Sequence, residues 1–329
     1  MELEERLIRR LVECRNIVIC THMSSDGDGI GSELALGRGL AGLGHTVHMI
    51  NPTPVPQSLT FLLKYPDEIR TIDSLDAPHK LFAEALTVVV DMGAFERLGD
   101  VLPYARSSRG ILVIDHHRLK REPGADYMLD TEASATGEVV ARILEHLGIP
   151  LALDLAEPIY AALYTDTGGF RYSGTTGATH RMAGTLLDAG VDPQKIHTEI
   201  FERQSKRRLR VLGRVLQSLE GSPGGKIVWM QATQRDLQAL GATMDDADDL
   251  VNYTMQVDGV QAGFYFKELS GEATKVSCRS RGNFAVDQFA SRWGGGGHAH
   301  AAGIRIALPL DRAKDEIISA AVSVLEKRP

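Results

Sequence analysis

The chain has little cysteine: Cys14, Cys20 and Cys278 are the only three in 329 residues. An odd number without close metal spacing excludes a disulfide framework and a structural zinc site. No apolar stretch approaches the roughly 18 residues of a membrane-spanning helix. Met1-Glu2-Leu3-Glu4-Glu5 begins a charged helix where an apolar signal would stand, so a soluble, cytoplasmic protein without membrane contact is expected. There is no internal repeat and no low-complexity tract. Nor is there an excess of positive charge, since 36 basic against 43 acidic residues leave a net −7. Wrapping a long duplex takes many Lys and Arg contacts to phosphates. The balance therefore favours a short oligonucleotide or a mononucleotide as partner.

What is present is a set of acids and histidines in telling places. Asp115-His116-His117 closes the apolar run Ile111 to Ile114. His22, Asp26 and Asp28 stand in Thr-His-Met-Ser-Ser-Asp-Gly-Asp-Gly, Asp91 follows Val88-Val89-Val90, and Asp166 lies in Tyr-Thr-Asp-Thr-Gly-Gly-Phe. Carboxylate oxygens and imidazole nitrogens suit hard or borderline divalent ions such as Mn²⁺. A pair of such ions generates a nucleophile at neutral pH and neutralises charge developing on a phosphoryl group. The pattern points to a two-metal hydrolase acting on a phosphate ester.

The short β-rich runs Ile17 to Cys20, Thr46 to Ile50, Leu86 to Val90 and Ile111 to Ile114 alternate with segments of helical spacing. That pattern predicts an α/β fold built on a parallel sheet. Such open sheets bind ligands beyond the carboxyl ends of their strands. His22, Asp91 and Asp115 each fall at such an end, which a random scatter of acids would not repeat.

Two flanking motifs have more than one reading. Gly27 and Gly29 would let the backbone turn so that Asp26 and Asp28 aim at different ions, with Gly31-Ser32 opening a helix whose amino end favours anions; an ordinary turn and helix start is the plain alternative. Thr131 to Glu138 precedes the helical run Val139 to Leu147. There Ser134 or Thr136 would act as a helix cap, or Ser134 would touch substrate.

The C-terminal part carries a different signature. Gly294 to Gly297 form a run of four glycines followed by His298. Four consecutive glycines weaken an ordered element, so a close backbone approach is the expected reason for them. Backbone N–H groups of Gly295, Gly296 and Gly297 would cradle a phosphate beside His298. Arg279 and Arg281 would add forked contacts to phosphate oxygens. The plain alternatives are a flexible turn for the loop, a solvated strand face for the arginines, and an ordinary surface or core histidine for His300.

Breaks at Val191-Asp192-Pro193 and at Gly221 to Gly225 suggest a catalytic domain at 1–190, a helical connector at 191–224 and a smaller domain at 225–329. Ile196 to Leu219 reads as one helix; Ile227 to Met230, Ala262 to Phe266 and Thr274 to Arg279 read as strands, with a closing helix over Ala313 to Leu325. The cluster Arg203, Lys206, Arg207, Arg208, Arg210 and Arg214 would attract a polyanion or simply form a solvated helix face.

The order His-x-x-x-Asp-Gly-Asp, Asp after a strand, Asp-His-His and Asp-Thr-Gly resembles the DHH phosphoesterase superfamily. The stretch from Val276 through Arg281 to Gly297-His298 and Ala301-Ala302-Gly303 is similar to the DHH-associated substrate-binding domain. The two matches cover nearly the whole chain, and among two-domain members it looks most like the nanoRNase/pAp-phosphatase group. The resemblance implies that His22 and Asp26 hold one metal, that Asp28, His116 and Asp166 hold the other, and that Asp91 bridges them. It implies that His117 faces the substrate phosphate while Asp115 orients a histidine. It also implies that the second domain, with Arg279, Arg281 and His298, holds the uncut part of the nucleotide in an interdomain cleft, and that the protein forms a homodimer.

The expected activity is thus hydrolysis of very short RNAs to mononucleotides with two divalent ions, Mn²⁺ ahead of Mg²⁺ or Co²⁺. Dephosphorylation of 3′-phosphoadenosine 5′-phosphate is a second expected reaction. The alternatives are a phosphodiesterase of cyclic or linear dinucleotides and a nucleotide-binding regulator with little catalysis. No ligand is missing, which weighs against the regulator.

Overall fold

A computed structural model describes residues 2–117 and 123–325, without the side chains of residues 2 to 4 and of His298. It divides into two compact units, Met1–Arg203 and Gln204–Pro329.

The first unit is built on six strands: β1 (Asn16–Cys20), β2 (Thr46–Asn51), β3 (Ile69–Thr71), β4 (Leu86–Val90), β5 (Ile111–Asp115) and β6 (Ala125–Leu129). All pairings are parallel, in the order β3-β2-β1-β4-β5-β6. Four of these strands lie where the apolar runs predict them. The edge strands β3 and β6 carry no such signal, since β3 has three residues and β6 mixes Asp126 with apolar neighbours.

Strands in this sheet read as unbroken apolar runs because both faces are covered. Ile17 and Ile19 of β1, Val88 and Val90 of β4, and Leu112 and Ile114 of β5 share one core with Leu7, Leu34, Leu40, Leu144 and Ile159. Val18, Val89, Ile111 and Val113 point the other way, onto Phe82, Phe95, Leu98 and Val101. The order of the sheet reverses direction between β1 and β4, and a doubly wound sheet opens a crevice at such a switch point. Asp91 follows β4 directly, and His22 follows β1 after Thr21.

The second unit holds β7 (Glu220–Gly221), β8 (Ile227–Ala232), β9 (Ala262–Ser270), β10 (Ala273–Ser280), β11 (Gly296–His298) and β12 (Ala301–Ile306), in the order β11-β12-β10-β9-β8-β7. Only β8 and β9 run parallel. The helix Leu310–Leu325 packs Ile317 and Ala321 against Phe264, Phe266 and Ile304 on one face of this sheet. Val211 and Val215 of the helix Lys206–Gln217 cover Met230 and Tyr265 on the other.

Two expectations are corrected. The single helix over Ile196 to Leu219 is interrupted: helix Pro193–His197, a wide turn Thr198–Glu202, then helix Lys206–Gln217 capped by the Ser205 hydroxyl. Ser205 offers its side chain to the Arg208 N–H, and a helix that starts on such a cap cannot continue from the preceding turn. The glycine run is not one loop, because Gly296–His298 form the edge strand β11.

Candidate metal centre

The helix Gly27–Gly42 begins earlier than Gly31-Ser32, at Gly27. Asp26 caps it, its Oδ1 accepting from the Asp28 and Gly29 N–H groups at 3.0 and 3.2 Å. Gly27, Gly29 and Gly31 therefore lie inside the helix rather than in a turn, and their value is closeness. A Cβ on Gly27 would collide with the Thr165 side chain, one on Gly29 with Thr21, and one on Gly31 with the Pro158 carbonyl oxygen. Small residues here let the helix Leu153–Asp166 and β1 approach, and so bring Asp166 and His22 toward Asp28.

Asp28 is 1% exposed. Its Oδ2 accepts from the Thr136 N–H at 2.7 Å, and its Oδ1 from the Gly137 N–H at 2.8 Å and the Ser32 hydroxyl at 3.1 Å. Asp28 thus satisfies the free N–H groups at the start of the helix Thr136–His146. The cap expected from Ser134 or Thr136 is absent: the Ser134 N–H and hydroxyl both donate to Glu138 one turn on.

Asp91 takes a left-handed backbone conformation, φ +50°, which costs a non-glycine residue about 1 kcal/mol or more. Asp115 holds the turn in place. Its buried carboxylate accepts from Met92 N–H and Gly93 N–H through Oδ2 at 2.8 and 2.9 Å, and from His117 N–H and Nδ1 through Oδ1 at 2.9 and 2.8 Å.

These ties bring the acids and imidazoles together. His22 Nε2 stands 3.9 Å from Asp26 Oδ2 and 3.6 Å from Asp91 Oδ2. His116 Nε2 stands 3.7 Å from Asp28 Oδ2 and 3.4 Å from Asp166 Oδ2. His117 Nδ1 lies 3.4 Å from Asp91 Oδ1. The donor atoms of His22, Asp26 and Asp91 fall within 4.8 Å of one another, as do those of Asp28, His116 and Asp166, and Asp91 also groups with Asp115, His116 and His117. All eight expected residues of the first unit are in one place.

Their electrostatics call for cations. Burial pushes Asp28 well above the usual carboxylate range, and Asp91, Asp166 and Asp26 add to it. Burial raises Asp166 to about 6, with His116 opposing and Asp91 and Asp26 adding. Burial would raise Asp91 too, but the His117 and His22 rings beside it hold it well below that range. For His117 burial disfavours the charge, yet Asp115 and Asp91 outweigh it and push the ring up to about 10. His116 Nδ1 is engaged by the Ala133 carbonyl at 3.2 Å, whereas its buried Nε2 has no hydrogen-bond partner. A buried nitrogen left without a partner is costly, and this one points at two carboxylates. An oxygen and imidazole donor set with such an orphan fits a divalent ion.

Arg97 carried no signal in the sequence, being a lone arginine six residues after Asp91. In the fold its Nη2 lies 2.7 Å from His22 Nδ1.

The second unit sets out its candidates differently. The strand register puts Arg279 opposite Ala301, and Ala301 opposite His298, in one row; the His298 side chain lies outside the described residues. Arg279 Nε donates to Asn252 at 3.0 Å and Arg281 Nη2 to the Met255 carbonyl at 2.7 Å, so the segment Leu250–Gln256 anchors both. Gly294 (φ +71°) ends the turn Ser291–Trp293, and a Cβ on Gly295 or Gly297 would strike the β12 carbonyls of Gly303 or Ala301. Gly294 and Gly296 face open space. His300 Nδ1 lies 3.0 Å from the Ser280 hydroxyl. In the basic cluster, Arg203 pairs with Glu199, Arg207 with Asp246 and Arg214 with Asp236, and Arg208 donates to the carbonyls of Asp245 and Asp248. These arginines brace the fold.

Comparison with known proteins agrees with this geometry. Residues 16–164 match the N-terminal domain of the DHH family, and residues 237–327 match the DHHA1 domain. A bifunctional oligoribonuclease and PAP phosphatase NrnA of Thermus thermophilus is 31% identical over 306 residues, 92% of this chain and 88% of that protein. Its Bacillus subtilis namesake is 27% identical over 310 residues, 92% and 93% of the two chains. The crystal structure of an exopolyphosphatase-related protein from Bacteroides fragilis superposes with a TM-score of 0.92 at 26% identity, over 98% of this chain and 96% of the other.

Proposed function

The chain belongs to the DHH family of metal-dependent phosphoesterases, and from that premise we propose a Mn²⁺-dependent, two-metal enzyme that hydrolyses very short oligoribonucleotides to mononucleotides. We assign to it a second reaction, conversion of 3′-phosphoadenosine 5′-phosphate to AMP. The relatives named as bifunctional oligoribonuclease and PAP phosphatase align over nine-tenths of the chain and support both substrates. The observation that carries the reading is the convergence of two donor sets, His22–Asp26–Asp91 and Asp28–His116–Asp166, at the head of one parallel sheet.

In this reading each set would hold one ion, and Asp91 would serve both. Bound divalent ions would supply a lowered pKa for water and neutralise charge on the phosphoryl group. The protein's own groups do the rest. Asp115 fixes the His117 ring through Nδ1 and holds it protonated, so His117 meets the substrate phosphate as a cationic donor. Asp28, itself fixed by two backbone N–H groups, would present its carboxylate to an ion without freedom to turn. Arg279, Arg281, Gly295, Gly296, Gly297 and His298 are assigned to contacts with substrate phosphate.

The test is a parallel assay with Mn²⁺ on a linear dinucleotide, a five-nucleotide RNA, a long single strand, 3′-phosphoadenosine 5′-phosphate and cyclic di-AMP. Mononucleotides from the short RNAs, AMP from the bisphosphate and a spared long strand are expected. Preferential opening of the cyclic dinucleotide, or tight nucleotide binding without turnover, would overturn the reading.

A further inference from the structure

Arg97 sits on the turn Phe95–Val101 that follows Asp91. Its backbone carbonyl accepts from the Met23 N–H at 2.7 Å, which ties this turn to the loop after His22. The half-buried guanidinium spans the two loops, with Nη1 3.4 Å from the Met92 carbonyl and Nη2 2.7 Å from His22 Nδ1. Among the described residues no carboxylate pairs with it, in contrast to Arg38 with Glu68, Arg207 with Asp246 and Arg214 with Asp236.

The contact to His22 is informative because of what an imidazole can accept. His22 Nε2 faces Asp26 and Asp91. A ring that gives its Nε2 lone pair to a cation carries its proton on Nδ1 and donates it, here to the Met23 carbonyl at 2.8 Å. Nδ1 then has nothing to offer the Arg97 N–H, and two donors face each other. A guanidinium that is always charged, has no acid partner and stands one imidazole ring away from Asp26 and Asp91 needs an acceptor there. Gly93 leaves it room, since a Cβ at that position would stand 3.1 Å from Nη1.

We propose that Arg97 is a substrate-binding residue that donates to a non-bridging oxygen of the phosphoester at the His22–Asp26–Asp91 set. The proposal rests on the phosphoesterase reading above. It adds a positive group that belongs to the chain itself, beside the His22 ring.

The experiment compares wild type, Arg97→Gln and Arg97→Lys in three measurements: calorimetric Mn²⁺ binding to the metal-free protein, inorganic phosphate binding to the Mn²⁺-loaded protein, and hydrolysis of a linear dinucleotide. For Arg97→Gln, Mn²⁺ affinity should stay within about threefold of wild type while phosphate binding weakens roughly 10-fold or more, the loss of one charge-assisted contact. kcat/KM should fall further than phosphate affinity, with partial recovery in Arg97→Lys. A loss of Mn²⁺ affinity that parallels the loss of phosphate binding would overturn the proposal and leave Arg97 as a residue that merely positions His22. Unchanged phosphate binding would overturn it as well. A wild-type protein that binds Mn²⁺ but neither phosphate nor dinucleotide would sink the phosphoesterase reading itself, and this assignment with it.

Discussion

Asp115 accepts the backbone N–H of Gly93 at 2.9 Å while its other oxygen holds His117, so one buried carboxylate fixes both the strained turn at Asp91 and the His117 imidazole. In Asp115→Asn the amide group must face either the N–H donors or His117, and one of them loses its acceptor. A loss of about 2 kcal/mol in urea unfolding is expected, the worth of a hydrogen bond to a charged group. Turnover should fall roughly 10–100-fold, as for other residues that orient a site from behind. Full turnover with full stability would show that the carboxylate charge is dispensable.

The strain at Asp91 separates stability from activity. Its φ of +50° suits glycine and penalises alanine. Asp91→Gly and Asp91→Ala should both lose hydrolysis. Asp91→Gly should be the more stable of the two by about 1 kcal/mol, the cost of a Cβ in that conformation. Equal unfolding midpoints would mean that the turn relaxes on substitution.

His117 is pushed from 6.5 up to about 10 in the folded protein. A base whose folded pKa is raised contributes stability that is complete below its unfolded value and lost as pH rises through the folded one. In EDTA the unfolding midpoint of wild type should therefore fall between about pH 6.5 and about pH 10. His117→Gln should lack that fall. A parallel decline in both proteins would assign it to other groups.

The pKa of Asp166 is raised as well, by burial and to about 6 without a metal, but here the proton occupies an oxygen that a cation would take. A cation must displace that proton, so Mn²⁺ binding should release protons and weaken as pH falls below about 6. The release should be smaller in Asp166→Asn. Calorimetry in buffers of different ionisation enthalpy counts the protons; none released near about pH 5.5 would place Asp166 outside the metal site.

Much of this was legible in the sequence. The residues β1, β4 and β5 hand to the site follow apolar runs whose length and β-branching mark buried strands, and an acid or histidine directly after such a run has one place to go. β3 and β6 were not legible, since short edge strands need little hydrophobicity and gain their order from the neighbour they pair with. Gly27 and Gly29 read in the sequence as a tight turn and Gly31 as a helix start, because a glycine required for close approach looks the same in one dimension as a glycine required for a positive φ. Gly295 and Gly297 carry the same ambiguity, which β12 resolves by passing directly over them.

Sequence alone determined the donor chemistry, the parallel sheet and the strand ends that present the acids and histidines, because these depend on residue type and on periods of a few residues. Tertiary structure decided the rest: that Asp28 caps a helix more than 100 positions away, at Thr136 and Gly137, that Asp115 buttresses the Asp91 turn, and that Arg97 lies against His22. Those contacts join residues far apart in the chain, and only the packing of helices and loops over a common sheet brings their polar atoms within the 3 Å or so that a hydrogen bond requires.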